Sequence, residues 1–247
     1  MTEDAGVIDY YWGPGFSVIA LVHVSYHGVS SPYQWVLLAV VLIWSVRLAG
    51  HLIRRHHGAV HEDGRYRAMR KSGGPSWWWA SLFKVFLLQA VLLWLIAAPL
   101  HVAFRPGGAD TVSAALFWTG MAVFALGFVI EWIADVQLAN GKQAQGSILP
   151  ETGMVTHGLW SMSRHPNYVG EIILWWGLGI SALAMSGSLI ALAGPALLTA
   201  VIAGVSLPLT EQHMMRTRPG YDAYMQRVPA LVGVPGRTRS RQNQPAE

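Results

Sequence analysis

The chain has 247 residues, 53% of them hydrophobic and only 12% charged, with twelve tryptophans and no cysteine. That balance is too apolar for a water-soluble domain of this length and predicts a protein that lives in a bilayer. Without thiols there are no disulfides, thiolate zinc sites or cysteine nucleophiles, and the net charge of +4 with a pI near 9.6 fits membrane topology and anionic lipid rather than nucleic acid, since no basic stripe is interleaved with aromatics.

Met1 to Gly6 is acidic and lacks the basic start and small-residue cleavage site of a signal peptide, so the first apolar run is expected to stay in the protein. Six runs are long and apolar enough to be read as helical spans, at about 15–27, 33–53, 78–104, 112–136, 168–185 and 189–207. The first is short unless residues 10–14 extend it, and a seventh span would require one of the runs to divide. Strand-like alternation is absent, so helices are the only spanning solution and the predicted class is all-α, a polytopic transmembrane helical bundle. No internal repeat of the transporter kind is present, and residues 1–235 read as one integral membrane domain followed by a disordered polar tail, 236–247.

Loop charge sets the expected orientation. Arg54, Arg55, Arg65, Arg67, Arg70 and Lys71 follow the second run, while Arg216, Arg218, Arg227, Arg237, Arg239 and Arg241 crowd the C-terminal end. Both basic segments are expected in the cytoplasm, as are both termini of a multi-pass inner-membrane protein. The loops at 28–31 and 105–111 carry one arginine between them and fall outside.

Polar residues inside apolar runs carry the functional signal, because an unpaired charge near a helix centre costs about 2.5 to 3.5 kcal/mol on insertion scales. Glu131 and Asp135 stand four residues apart on one helical face, where two like charges need a ligand or a cation. Arg47, with His51 one turn further on, is a candidate partner, and Arg164 and Lys142 are others. Arg164, His165, Pro166, Asn167, Tyr168 and Gly170 lead into Glu171 at the start of the fifth run, where unpaired backbone N–H groups also point outward. Together with Asp9, these groups are expected to converge on one cytoplasmic pocket, with Glu211 and Tyr221 closing it from below. His51, His56, His57 and His61 raise a membrane di-iron site, but the remaining histidines are single, so no metal is expected. Trp77 to Trp79 and Trp175 to Trp176 are read as aromatic belts at headgroup level.

The segment from Gly158 to Glu171, with Glu131 and Asp135 upstream and Pro219 to Tyr224 downstream, resembles the steroid 5α-reductase superfamily, especially its bacterial members. The stretches Asp9 to Gly13, Trp44 to Leu48 and Glu62 to Arg70 extend the resemblance over most of the chain. It implies a membrane reductase that uses NADPH to reduce the carbon–carbon double bond of a lipophilic enone such as a 3-oxo-4-ene steroid, working as a monomer among membrane lipids. Glu131, Asp135, Asn167 and Glu171 match the positions such proteins use around the cofactor, and Arg47 matches a cofactor-contacting arginine. Arg164, Arg54 and Arg55 are the candidates for its phosphates, beside His51, Lys142, His165, Tyr168, Glu211 and Tyr221. The enone-facing glutamate and tyrosine of eukaryotic relatives read Asp9 and Trp44 here, so Tyr10, Tyr11 and Tyr26 become the candidates to supply a hydroxyl. Isoprenylcysteine and phospholipid methyltransferases share the Arg-His-Pro-x-Tyr-x-Gly string and bind S-adenosylmethionine with it, which makes a methyltransferase the alternative and a non-enzymatic transporter the second alternative.

Overall fold

The computed structural model describes residues 10–57, 73–74, 77–106, 112–143 and 154–233. Every regular element among them is helical: α1 (Trp12–His27), α2 (Pro32–His57), α3 (Trp77–Ser81), α4 (Leu88–Ile96), α5 (Ala98–Ala103), α6 (Ala114–Gln143), α7 (Pro166–Ser186), α8 (Ala193–Val201), α9 (Leu207–Thr217) and α10 (Tyr221–Arg227). Among the described residues five helical stretches are long and apolar enough to cross a bilayer: Pro32–Arg54, Trp79–Ile96, Ala114–Gly141, Pro166–Ser186 and Leu189–Thr217. The expected first span, α1, has 16 residues and so reaches roughly 24 Å, short of the ~30 Å hydrocarbon core.

Two of the expected continuous spans are interrupted. The third contains a π-helical stretch at Leu82–Leu87 and breaks again at Ala97, where Pro99 in the next turn offers no N–H to continue the ladder. Beside this break lies the imidazole of His101, with Nε2 2.9 Å from the Trp94 carbonyl and Nδ1 2.9 Å from His23 Nε2 on α1. The last span loosens into a π-helical turn at Ile202–Ser206 directly before Pro208, whose ring cannot sit over a regular preceding turn.

The chain divides into two compact units, the first comprising Met1–Phe124 with Trp175–Leu198, the second Ala125–Leu174 with Thr199–Glu247. In the first, Phe16 of α1 packs on Trp44 of α2 and on Trp175 of α7, all three fully buried. Gln34 donates through Nε2 to the Ala103 carbonyl at 2.9 Å, and Ser181 donates to the Phe117 carbonyl at 3.1 Å. Where α6 and α7 meet in this unit, a Cβ on Gly177 would stand 2.6 Å from the Gly120 carbonyl.

The same close approach recurs in the second unit, where a Cβ on Gly127 would lie 2.6 Å from the Gly170 carbonyl and one on Gly170 would lie 2.5 Å from the Glu131 nitrogen. Backbone meets backbone here, as small residues allow between helices in a bilayer. Because neither wall is a flexible side chain, Gly170→Ala is expected to destabilise the protein by about 1 to 3 kcal/mol. Thermal unfolding in detergent should show a clear drop for Gly170→Ala and none for Gly50→Ala, whose Cβ would meet nothing within 4 Å.

Candidate functional site

The second unit gathers most of the polar residues expected to act. Glu131 and Asp135 on α6 are 3% and 5% exposed, and neither stands without an interacting neighbour. The first turns of α7, which also carry Gly170, bear Asn167, Tyr168 and Glu171, each half-buried. The approach to α7 is fixed to α6 by two contacts: Trp160 Nε1 donates to the Ala134 carbonyl at 3.1 Å, and the Leu159 N–H donates to Gln137 Oε1 at 3.0 Å. Gly158 makes the turn with φ of 62°, and a Cβ there would lie 2.7 Å from that same Gln137 oxygen.

Arg164 is buried and its donors are spent on the protein. Nε and Nη2 reach Glu211 Oε1 of α9 at 2.8 and 2.5 Å, while Nη1 donates to the carbonyls of Val228 at 2.6 Å and Met225 at 3.2 Å. Its backbone N–H donates to the Pro229 carbonyl at 2.9 Å, and Ser163 Oγ donates to the Ala230 carbonyl at 3.2 Å. Sequence spacing offered Arg164 to a phosphate; the structure commits it instead to holding α9 and the segment after α10 against the start of α7. A buried guanidinium needs this many acceptors to offset its lost hydration.

His165 stacks on Tyr168 with centroids 5.3 Å apart and rings 11° from parallel. Its Nε2 lies 3.4 Å from Glu211 Oε1, at ion-pair range but off the line of a hydrogen bond, so this buried nitrogen keeps an unspent bonding position. The Tyr168 hydroxyl pairs with Thr210 Oγ1 at 3.3 Å. Tyr221 is buried with its hydroxyl unpartnered, and Tyr224 donates its own to the Trp160 carbonyl. Burial, with the negative Glu211 adding to it, pushes the Tyr221 phenol from 10.0 up to about 12, and burial with Tyr221 alongside pushes Tyr224 up as well. Thr210, which adjoins Glu211, was not singled out from sequence, and Trp160 and Tyr224 entered only as members of the Gly158 to Glu171 and Pro219 to Tyr224 stretches.

The other expected residues belong to the first unit. Arg47 and His51 are half-buried on α2, and Arg54 is exposed further along it. Tyr10 is half-buried just before α1, whereas Tyr26 is 82% exposed at that helix's opposite end. Trp175, read as part of an interfacial belt, is fully buried in mid-helix. Asp9 and the side chains of Arg55 and Lys142 lie outside the described residues.

Two outcomes follow from this cluster. Removing the carboxylate with Glu211→Ala leaves Arg164 charged, buried and short of acceptors, which should cost on the order of 3 kcal/mol and expose the 218–230 segment to limited proteolysis. With pKa raised in the folded state, Tyr221 and Tyr224 stay protonated where an unfolded chain would ionise. Their contribution is therefore complete below pH 10 and declines as pH climbs toward about 12. An alkaline titration followed by tyrosinate absorbance should show a late component that Tyr221→Phe diminishes.

Residues 1–228 match the family described as a protein of unknown function, DUF1295, and the match ends at the residue whose carbonyl takes the shortest Arg164 bond to backbone. An uncharacterized protein of Schizosaccharomyces pombe is 25% identical over 255 residues, covering 92% of this chain and 72% of its own length. A probable O-methyltransferase of Ustilaginoidea virens is 35% identical over 97 residues, 39% of this chain and 31% of its own. No solved structure matches the chain. Family match, buried acids and apolar helices therefore meet in one statement: the chain belongs to the DUF1295 family and carries helices long and apolar enough to cross a membrane.

Proposed function

We propose that the protein is a membrane-embedded, NADPH-dependent reductase acting on the carbon–carbon double bond of a flat lipophilic enone, with a 3-oxo-4-ene steroid as the representative substrate. The observation that supports it is the meeting, in one compact unit, of two deeply buried carboxylates, Glu131 and Asp135, with the unspent polar atoms of His165 and Tyr221. Ionisable groups buried among membrane-spanning helices commonly mark a site for a polar ligand. The resemblance to steroid 5α-reductases over most of the chain names the guest.

The donor set fits a dinucleotide. Carboxylates accept from ribose hydroxyls and from a carboxamide, and Asn167 and Glu171 stand on the first turns of α7 where they would add to that set. His165 Nε2 and the Tyr221 hydroxyl offer further bonds to hydroxyl or phosphate oxygens. Arg164 is engaged by Glu211 and backbone carbonyls, so the phosphates fall to other cations. When bound, the reduced nicotinamide supplies a hydride to the enone β-carbon. The protein's own task is then to hold the charge that collects on the enone oxygen, and one preorganised donor is worth about 3 kcal/mol there. Exclusion of water by the surrounding apolar helices strengthens that bond. Asp9 and Tyr10 are the residues proposed for this work.

A second reading has its own support, because the partial likeness to a probable O-methyltransferase fits S-adenosylmethionine in the same polar cluster. Mass spectrometry of the small molecules that co-purify in detergent, with nicotinamide fluorescence, separates the two. NADPH is expected; bound S-adenosylmethionine would transfer the assignment to the methyltransferase. Glu171→Gln and Asn167→Ala should each weaken NADPH binding about tenfold, the worth of one hydrogen bond to a charged or polar group. Trp118→Phe, on an exposed ring, should leave affinity unchanged, and equal losses in all three variants would mean general destabilisation.

A further inference from the structure

Along the chain His101 stands alone and His23 and His27 are merely four residues apart, but the fold of the first unit brings their three imidazoles together. On α1 the ring centroids of His23 and His27 are 5.9 Å apart, and that of His101 on α5 lies 5.2 Å from His23. The His101 ring is anchored on both sides, with Nε2 bonded to the Trp94 carbonyl of α4 and Nδ1 to His23 Nε2, each at 2.9 Å. His23 thereby spends one ring nitrogen and keeps Nδ1. His27, exposed and last in α1, spends neither of its ring nitrogens on another of the described residues.

Two histidines four residues apart on one helical face can grip a transition metal, because a helical side chain leans toward the turn before it and brings the second ring over the first. With nitrogen–metal bonds of about 2.0–2.1 Å, two imidazoles on one ion have centroids roughly 4.5 to 6.4 Å apart, according to the angle between the bonds. The observed 5.9 Å falls inside that window. A ligating histidine is oriented by a hydrogen bond from its other nitrogen, and the links from His23 through His101 to the Trp94 carbonyl supply that support. Position adds to this, since α1 ends at His27, where unpaired carbonyls and the helix dipole favour a positive charge.

We infer that His23 Nδ1 and His27 form a two-histidine site for a divalent transition metal, with His101 as the residue that positions the His23 ring. Among the described residues no group of three or more His, Cys, Asp or Glu is placed to hold an ion, so water completes the coordination and the metal exchanges with solvent. Imidazole ligands without carboxylates select copper, zinc or nickel over magnesium and calcium. The site shares no residue with the polar cluster around Arg164 and does not depend on the reductase reading.

The test uses the full-length protein, purified in detergent without a histidine tag and stripped with a chelator that is then removed, with copper(II) and zinc(II) as the probes. Each measurement is made with and without His56→Asn, His57→Asn and His61→Asn, which removes the other histidine-rich segment as a source of binding. In equilibrium dialysis the affinity is expected to fall about tenfold in His101→Phe, which removes the positioning bond, and further in His27→Asn, which removes a ligand. Electron paramagnetic resonance of bound copper should show nitrogen splitting from two imidazoles in the parent protein and in His101→Phe, and from one in His27→Asn. Because His27 is exposed, His27→Asn should unfold at the parent temperature without metal, whereas saturating zinc should stabilise the parent protein alone. A parent protein that binds neither ion, or whose affinity and nitrogen splitting survive His27→Asn, overturns the inference. Affinity unchanged in His101→Phe overturns the positioning role.

Discussion

A guanidinium withdrawn from water must find acceptors, and Arg164 finds them on three separate stretches of chain. Glu211 supplies the opposite charge from α9, while Met225 and Val228 supply carbonyls from α10 and just beyond it. The strength of such an arrangement lies less in its net favourable energy than in what breaking it would cost, since a lone buried charge is far worse than an exposed one. The start of α7, the end of the last long helix and the C-terminal cap are therefore held to one geometry. His165, Tyr168 and Tyr221 stand beside this charge and inherit its fixed position.

A second constraint acts through the backbone. Gly127 and Gly170 let α6 and α7 approach until main-chain atoms touch, and the Glu131 nitrogen lies within that contact. Groups on these helices, from Glu131 and Asp135 to Asn167 and Glu171, are consequently placed by rigid elements and not by loops. A site built this way is preorganised: its polar atoms do not have to be gathered when a ligand arrives. The second unit thus buries Glu131, Asp135 and Arg164, where the first buries Phe16, Trp44 and Trp175.

Much of this could be read from residues alone, because apolar length and the rarity of charge dictate where helices cross a bilayer. The Arg164 to Glu171 string and the Glu131 and Asp135 spacing marked the polar cluster for the same reason. What could not be read was how donors are spent. Nothing in the neighbourhood of Arg164 along the chain says that residues 211 and 225–230 will consume its N–H groups. Depth was equally hidden: Trp175 and Trp176 are adjacent and look like one interfacial pair, yet helical rotation buries the first completely. Tyr26 shows the reverse, a hydroxyl on an apolar helix that the fold turns outward. Runs 78–104 and 189–207 read as unbroken spans, because whether a long apolar run stays regular or reorganises into a π-helical turn depends on neighbours far away in sequence.

The break at Ala97 imposes a direction on a pair of imidazoles. A main-chain carbonyl can only accept, so the ring of His101 must carry its hydrogen on the nitrogen facing Trp94, which leaves its other nitrogen bare. His23 has to fill that vacancy with its own Nε2 hydrogen, and the only lone pair left in the neutral pair is on His23 Nδ1. A single main-chain carbonyl thus fixes two tautomers in succession and determines at which single atom the pair can take up another proton without breaking either bond.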